Sequence, residues 1–289
     1  MALGYRICAV LSLSLLLGAA AAPVATPQTT PGTSTAPATA RLLVEDPTKA
    51  SPARSNAGGT INNGWVNRHN GFVTTAKAAA AGTVPIDLYM EGDSITDFWK
   101  SRFAANWNRN LGGWKPADFG ISGDRTQNLL YRIENGELDG VNPKVIVLNI
   151  GTNNLAWNAT YGMNTVEDTV KGVKAVIDAL QAKAPKAKIL LIGIMPRNDT
   201  GKTPPEIWQN ICKANEQIAK FADDKTIKFV NLNDKMADKD GKLFPGIMGS
   251  DNLHPADKGY QIWADAMKPI LTEWLGEPTT ASAPASQPK

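Results

Sequence analysis

Cysteine and histidine are scarce in this chain of 289 residues, with two of each, and the scarcity closes off whole classes of chemistry. Cys8 lies in an apolar N-terminal stretch that reads as a removable segment, so Cys212 is left without a partner and an internal disulfide is excluded. Cys212 falls in an apolar helical pattern and reads as core. His69 and His254 are distant in sequence, and no His or Cys pair stands at metal-ligand spacing, so no metal site is expected. Charge of one sign is missing too: 30 Lys and Arg against 27 Asp and Glu, interspersed, give a net +3 and point to no nucleic-acid partner. Past the first twenty-odd residues no apolar run approaches the roughly 18 needed for a membrane-spanning helix. No internal repeat is present.

The two ends of the chain have their own character. Residues 1–22 combine Arg6, an apolar core over 10–17 and a closing run of alanines, the pattern of a secretory signal peptide cut at Ala21 or Ala22. A secreted or periplasmic protein is the expectation. Residues 23–59 read as a flexible leader, almost wholly Ala, Pro, Thr and Ser up to residue 40, and 277–289 as a disordered tail, because such composition has too few large apolar groups to offset ordering entropy. Residues 60–276 remain as one domain.

Within that domain, strand and helix patterns alternate. A helix is expected over 63–80, then a strand at 86–90 that runs into Gly92-Asp93-Ser94-Ile95, and a helix over 96–106. A short strand at 117–119 leads to Gly120-Ile121-Ser122-Gly123-Asp124 and a helix near 126–133. The β-branched run at 145–150 has the composition of a strand buried on both faces, and Gly151-Thr152-Asn153-Asn154 follows it. Asn164, with Glu167 three residues on, suits the start of an amphipathic helix. A strand at 189–194, a helix at 205–222 and a strand at 227–232 come next. Asp251-Asn252-Leu253-His254-Pro255 then opens a last helix, with Pro255 at its first position. Five such alternations predict an α/β fold, a three-layer α/β/α sandwich around a five-stranded parallel sheet.

In that architecture the loops after successive strands meet at one edge of the sheet, which gathers Ser94, Gly123, Asn153 and the Asp251–His254 segment. Acyl transfer needs a nucleophile, a base, a carboxylate that orients the base, and donors aimed at an oxyanion. Ser94 reads either as that nucleophile or as a helix cap. His254, in a polar loop three residues after Asp251, is a stronger candidate base than His69, which lies in a helical pattern. Gly123 offers a backbone N–H and Asn153 an amide, although both residue types also serve ordinary turns. Trp99, Trp157 and Trp208 are candidates either for stacking on a sugar or for core packing.

The four ordered blocks, taken together, resemble those of the SGNH (GDSL-type) hydrolases, and most nearly the branch of the platelet-activating-factor acetylhydrolase catalytic subunits and exported bacterial esterases. The likeness covers about residues 86–274, with Ile95 standing where the family name has Leu. It implies a flavodoxin-like sheet and ester hydrolysis through an acyl-serine, with no metal or organic cofactor. Position by position, Ser94 matches the nucleophile, His254 the base and Asp251 its carboxylate. Ser94 and Gly123, through backbone N–H, and Asn153, through its amide, match the oxyanion hole. Asp93 is expected to be a structural turn residue. A small ester or an acetylated carbohydrate such as xylan is the expected substrate. A lysophospholipase, thioesterase or aryl esterase with the same triad is the rival, and a non-catalytic carbohydrate-binding protein is the rival from another class.

Overall fold

The computed structural model describes residues 44–55, 59–199 and 201–279. The expected signal peptide, residues 23–43 of the expected leader and the tail from 280 lie outside the described residues. Five strands, β1 (Leu88–Gly92), β2 (Pro116–Gly120), β3 (Val145–Asn149), β4 (Lys188–Ile192) and β5 (Ile227–Val230), form one parallel sheet in the order β2-β1-β3-β4-β5. β1 and β3 are buried along their whole length, as their apolar runs require of central strands. Gly92 pairs with Gly120 on one side and Asn149 on the other, so three strands end level and release their loops at one edge. Side chains alternate between the two faces of the sheet. Tyr89, Phe119, Ile146 and Leu148 pack beneath α1 (Asn63–Ala80), α4 (Thr126–Arg132), α5 (Val166–Lys183) and α6 (Ile207–Ile218). Leu88, Met90, Val145 and Val147 pack beneath α2 (Ser94–Arg102), α3 (Ala104–Leu111) and α8 (Asp257–Leu275), and the short α7 (Asn233–Met236) also contributes to this core. This is the expected three-layer α/β/α sandwich.

Several expectations need correction. The leader was expected to be flexible to residue 59, but residues 44–55 form a strap along the domain. Thr126 Oγ1 donates to Pro47 O, Asn128 Nδ2 to Ser51 O and Asn164 Nδ2 to Glu45 O, while Ser51 N donates to Gln127 O. Hydrogen bonds to its backbone, three of them from side chains of the domain, thus order a segment that lacks an apolar stripe. At the other end, Trp114 donates to Gly276 O and Thr279 N to Gly113 O, which pins the first residues of the expected tail. The helix expected over 96–106 is two helices, broken at Phe103 (φ −124°, ψ 43°), and the first begins at Ser94. Helix α5 is capped by Thr165, whose side chain accepts from Asp168 N, because Asn164 is occupied by Asn154 and Glu45. Helix α8 starts at Asp257, two residues beyond Pro255.

Candidate active site

Two tight turns place the expected nucleophile and base. Asp93 is buried and caps α2, its Oδ1 accepting from Ile95 N at 2.9 Å, so Ser94 is the first helical residue. At that position the backbone N–H has no intrahelical acceptor and points outward with the helix dipole behind it. Burial raises the Asp93 carboxyl to about 7, and its role stays structural, as expected. The turn demands glycine at position 92, where a Cβ would stand 2.3 Å from Asn149 O. In the second turn, Asp251 Oδ1 accepts from Leu253 N and His254 N, both at 3.0 Å. Asn252 takes a left-handed φ of 55°, which folds the segment back on itself and frees Asp251 Oδ2 to meet His254 Nδ1 at 2.6 Å. His254 Nε2 then lies 2.8 Å from Ser94 Oγ. With the Nδ1 proton donated to Asp251, Nε2 is the acceptor for the serine hydroxyl. Burial works to raise the Asp251 carboxyl, but the hydrogen bonds from the His254 ring and from the two N–H groups outweigh it and hold it at about 2. Asp251 is therefore ionised throughout the neutral range.

The β2 and β3 loops bring the oxyanion candidates to the same edge. Gly123 is exposed with φ 87°, and a Cβ there would meet nothing within 4 Å, so the approach to its N–H is open. Asn153 Nδ2 donates to Asp124 O at 2.9 Å, which docks the β3 loop beside Gly123 and commits one of its two amide hydrogens. Asn154 is excluded from such a role. It is buried, and its amide nitrogen already meets Thr126, Gln127 and Asn164.

Beneath these loops sits a group that the sequence did not reveal. Arg132, with 0% exposure, meets Glu91 (3.0 Å), Asp124 (2.8 Å) and Glu137 (2.5 Å), and also donates to the carbonyls of Gly92 and Phe119. One guanidinium thus ties the residue before Asp93 to the residue after Gly123. Burial drives the Glu91 carboxyl well above its usual range, whereas at Glu137 burial pulls the same way but the Arg132 charge and the hydrogen bonds together outweigh it and hold the carboxyl below its usual range. Glu91 Oε2 and Glu137 Oε1 are buried without a hydrogen-bond partner. Trp65 Nε1 completes the cluster at 2.6 Å from Asp124 Oδ1. A second buried arginine, Arg197, donates to Thr152 O and Oγ1 and grips Asp199 with two bonds, while Asn198 N donates to Asn252 O. The β4 loop therefore braces both the Asn153 loop and the base loop.

His69 is buried against Trp65 and 3.8 Å from Glu137, remote from Ser94 in role. Trp99 is not at the site. It is fully buried among Trp107, Tyr260 and Trp263. Its neighbour Phe98 is the aromatic that borders the base, with its ring 4.5 Å from the His254 ring and Arg102 over its face. Phe98 stands four residues after Ser94, on the same helical face, and that spacing was the available signal. Trp208 lines a separate cavity of about 630 Å³ with Phe229, Phe244 and Cys212. Cys212 is consequently half-buried, at the cavity wall, instead of in the core. Trp157 is exposed at 54% in the β3 loop. Among the described residues no cluster of three or more His, Cys, Asp or Glu could hold a metal ion, and no helix is long and apolar enough to cross a membrane.

Comparison with known proteins gives a consistent result. The model of the GDSL-like Lipase/Acylhydrolase family matches residues 91–262. The human platelet-activating factor acetylhydrolase IB subunit alpha2 is 30% identical over 215 residues, which are 74% of this chain and 86% of that protein. Among solved structures, a GDSL-like lipase from Bacteroides thetaiotaomicron is similar with a TM-score of 0.59 at 23% identity, covering 71% of this chain and 98% of its own. An acetyl xylan esterase is similar with a TM-score of 0.50 at 25% identity, covering 64% and 100%.

Proposed function

The chain belongs to the GDSL-like lipase/acylhydrolase family and is a carboxylic ester hydrolase, and from that premise we propose that it removes acetyl groups from a carbohydrate through an acyl enzyme formed on Ser94. The observation that carries this reading is the unbroken hydrogen-bonded line from Ser94 Oγ through His254 to Asp251. Ser94 attacks the ester carbonyl while His254 Nε2 takes its proton, and the imidazolium is held by Asp251. The carbonyl oxygen becomes an oxyanion between the N–H groups of Ser94 and Gly123 and the second amide hydrogen of Asn153. His254 then returns the proton to the leaving alcohol, and a water activated by the same nitrogen releases the acid.

A small acyl group is favoured because two relatives of different kinds, an acetylhydrolase subunit and an acetyl xylan esterase, both carry acetyl in their names. The exposed Trp157 in the β3 loop supports a sugar as the alcohol, since an indole face stacks on a pyranose ring. A panel of 4-nitrophenyl esters of rising chain length, with acetate release from acetylated xylan, tests the reading. The acetate ester is expected to give the highest kcat/KM, with acetate released from the polymer. Preference for long chains without acetate release overturns it.

Asn153→Ala should cost about 2.7–4 kcal/mol of transition-state stabilisation, a loss of roughly 10²–10³ in kcat. Because the same amide also holds Asp124 O, Tm is measured in parallel to separate loosening of the loop from loss of the donor. A wild-type kcat in this variant removes Asn153 from the oxyanion hole.

A further inference from the structure

A cleft of about 440 Å³, of mixed polar and apolar lining, opens from Gly123 toward the N-terminal side of the domain. That volume lies within the roughly 300–1,000 Å³ of small-molecule sites. Its floor is the oxyanion loop, and Asp97, one helical turn after Ser94, stands at its margin. Its walls come from elsewhere: Arg54 of the strap, Asn62, Gly64 and Arg68 at the start of α1, and Asn158 of the β3 loop. Those of residues 53–68 precede the stretch matched by the family model, which begins at residue 91.

The character of the lining constrains what fits. Trp65 and Tyr161 contribute to the cleft but are buried, so neither presents a broad apolar face. What remains is amide, guanidinium, hydroxyl and carboxylate, with the small apolar surfaces of Ala53 and Ile121 between them. Arg68 bonds Asp97 at 2.9 Å through Nη2, and Ser122 Oγ donates to the other oxygen of Asp97 at 2.8 Å. Both arginines of the cleft face carboxylates, Arg54 Glu45 and Arg68 Asp97 and Asp118, so the cleft is not a site for an anion. Asn158 uses its Oδ1 to accept from Thr160 N and Tyr161 N, which turns its amide nitrogen away from the loop backbone. Closely spaced donors and acceptors of this kind beside small apolar surfaces match a polyhydroxylated ring, which presents hydroxyls at its edge and C–H groups on its faces.

We infer that this cleft holds the sugar of the departing alcohol, so that the strap and the first turns of α1 set the enzyme's preference for its leaving group. The inference rests on the acetyl-carbohydrate reading above: an acetyl group needs almost no volume, which leaves the alcohol as the part that requires a cleft. The strap is held in place by Glu45, Pro47 and Ser51 against α4 and Asn164, and by Arg54 N against the Tyr161 hydroxyl, so the wall is preformed.

Filling the cleft from opposite walls tests this. Gly64→Trp adds bulk at an exposed helical position where a Cβ meets only Asn62 Oδ1 at 3.3 Å, and Asn158→Trp does so from the β3 loop. Each variant, in the full chain and checked for folding by circular dichroism, is assayed on an acetylated xylo-oligosaccharide and on 4-nitrophenyl acetate. The ratio of kcat/KM for the oligosaccharide to that for the nitrophenyl ester is expected to fall at least tenfold, through KM. A ratio unchanged in both variants, whether the two activities hold or decline together, overturns the cleft assignment while leaving the acetyl-carbohydrate reading intact. If the wild-type enzyme releases no acetate from the oligosaccharide, both readings fail together.

Discussion

Ser94→Ala should lower kcat by about 10⁶, the size of effect expected when the attacking atom of a serine triad is removed. The loss should not deepen in a double variant. His254→Ala alone should cost nearly as much, and Ser94→Ala/His254→Ala no more than either, because the two side chains act as one unit across their 2.8 Å contact. Asp251→Asn is the informative contrast. In a buried triad that exchange costs about 10⁴, since the amide favours the wrong imidazole tautomer. Here the Asp251 side chain is 48% exposed, and water can replace part of its work, so a smaller loss is expected. The measurement is kcat on 4-nitrophenyl acetate, together with labelling by an organophosphonate, which should fail in Ser94→Ala. A labelled adduct on some other residue, or losses that multiply in the double variant, would refute the assignment.

Arg132→Met should cost about 3–5 kcal/mol of stability, because it leaves Glu91, Asp124 and Glu137 buried around an absent charge. That is a large share of the roughly 5–15 kcal/mol that holds a domain together, so this variant is expected to give little folded protein. Arg132→Lys separates charge from shape. Its ammonium has three donors on one point, and it cannot span the two carbonyls and three carboxylates that the planar guanidinium reaches. It should fold with a lowered Tm. It should also lose kcat more than KM, since Gly92 and Asp124 flank the backbone that presents Ser94 and Gly123. Urea unfolding and Michaelis–Menten parameters check both parts. If Arg132→Lys matched the wild type in Tm and kcat, the cluster would be a packing device with no bearing on the loops.

The contrast between Arg132 and the triad shows what a one-dimensional reading reaches. The central strands are legible because Val145 to Asn149 is a run that only a doubly covered strand tolerates, and the candidate site is legible because Ser94, Gly123 and Asn153 follow the ends of three strands while Asp251 and His254 stand three residues apart just before the last helix. Arg132 sits on a helix whose other polar residues give no periodic warning, and nothing local says that three carboxylates up to 41 positions away converge on it. Trp99 and Phe98 are adjacent aromatics at the same helix start. Which one turns inward depends on the packing of α8, and the core took Trp99. The strap escaped notice for a different reason. It is ordered by hydrogen bonds between its own backbone and α4, and such bonds leave no hydrophobic pattern to read.

The serine and the histidine that share a hydrogen bond are 160 positions apart in the chain, and the base loop follows all five strands. Its position depends on late contacts: Asn198 to Asn252, and the Tyr260 hydroxyl to Ile95 O at 2.8 Å. A nascent or clipped chain that stops short of His254 should therefore be inert, however much of its sheet has formed. During refolding, turnover should report the closure of the longest loop in the site and should lag secondary-structure signals. The enzyme thus carries its own assay for chain completion, and a regain of activity that lags the regain of helicity measures the docking of α8.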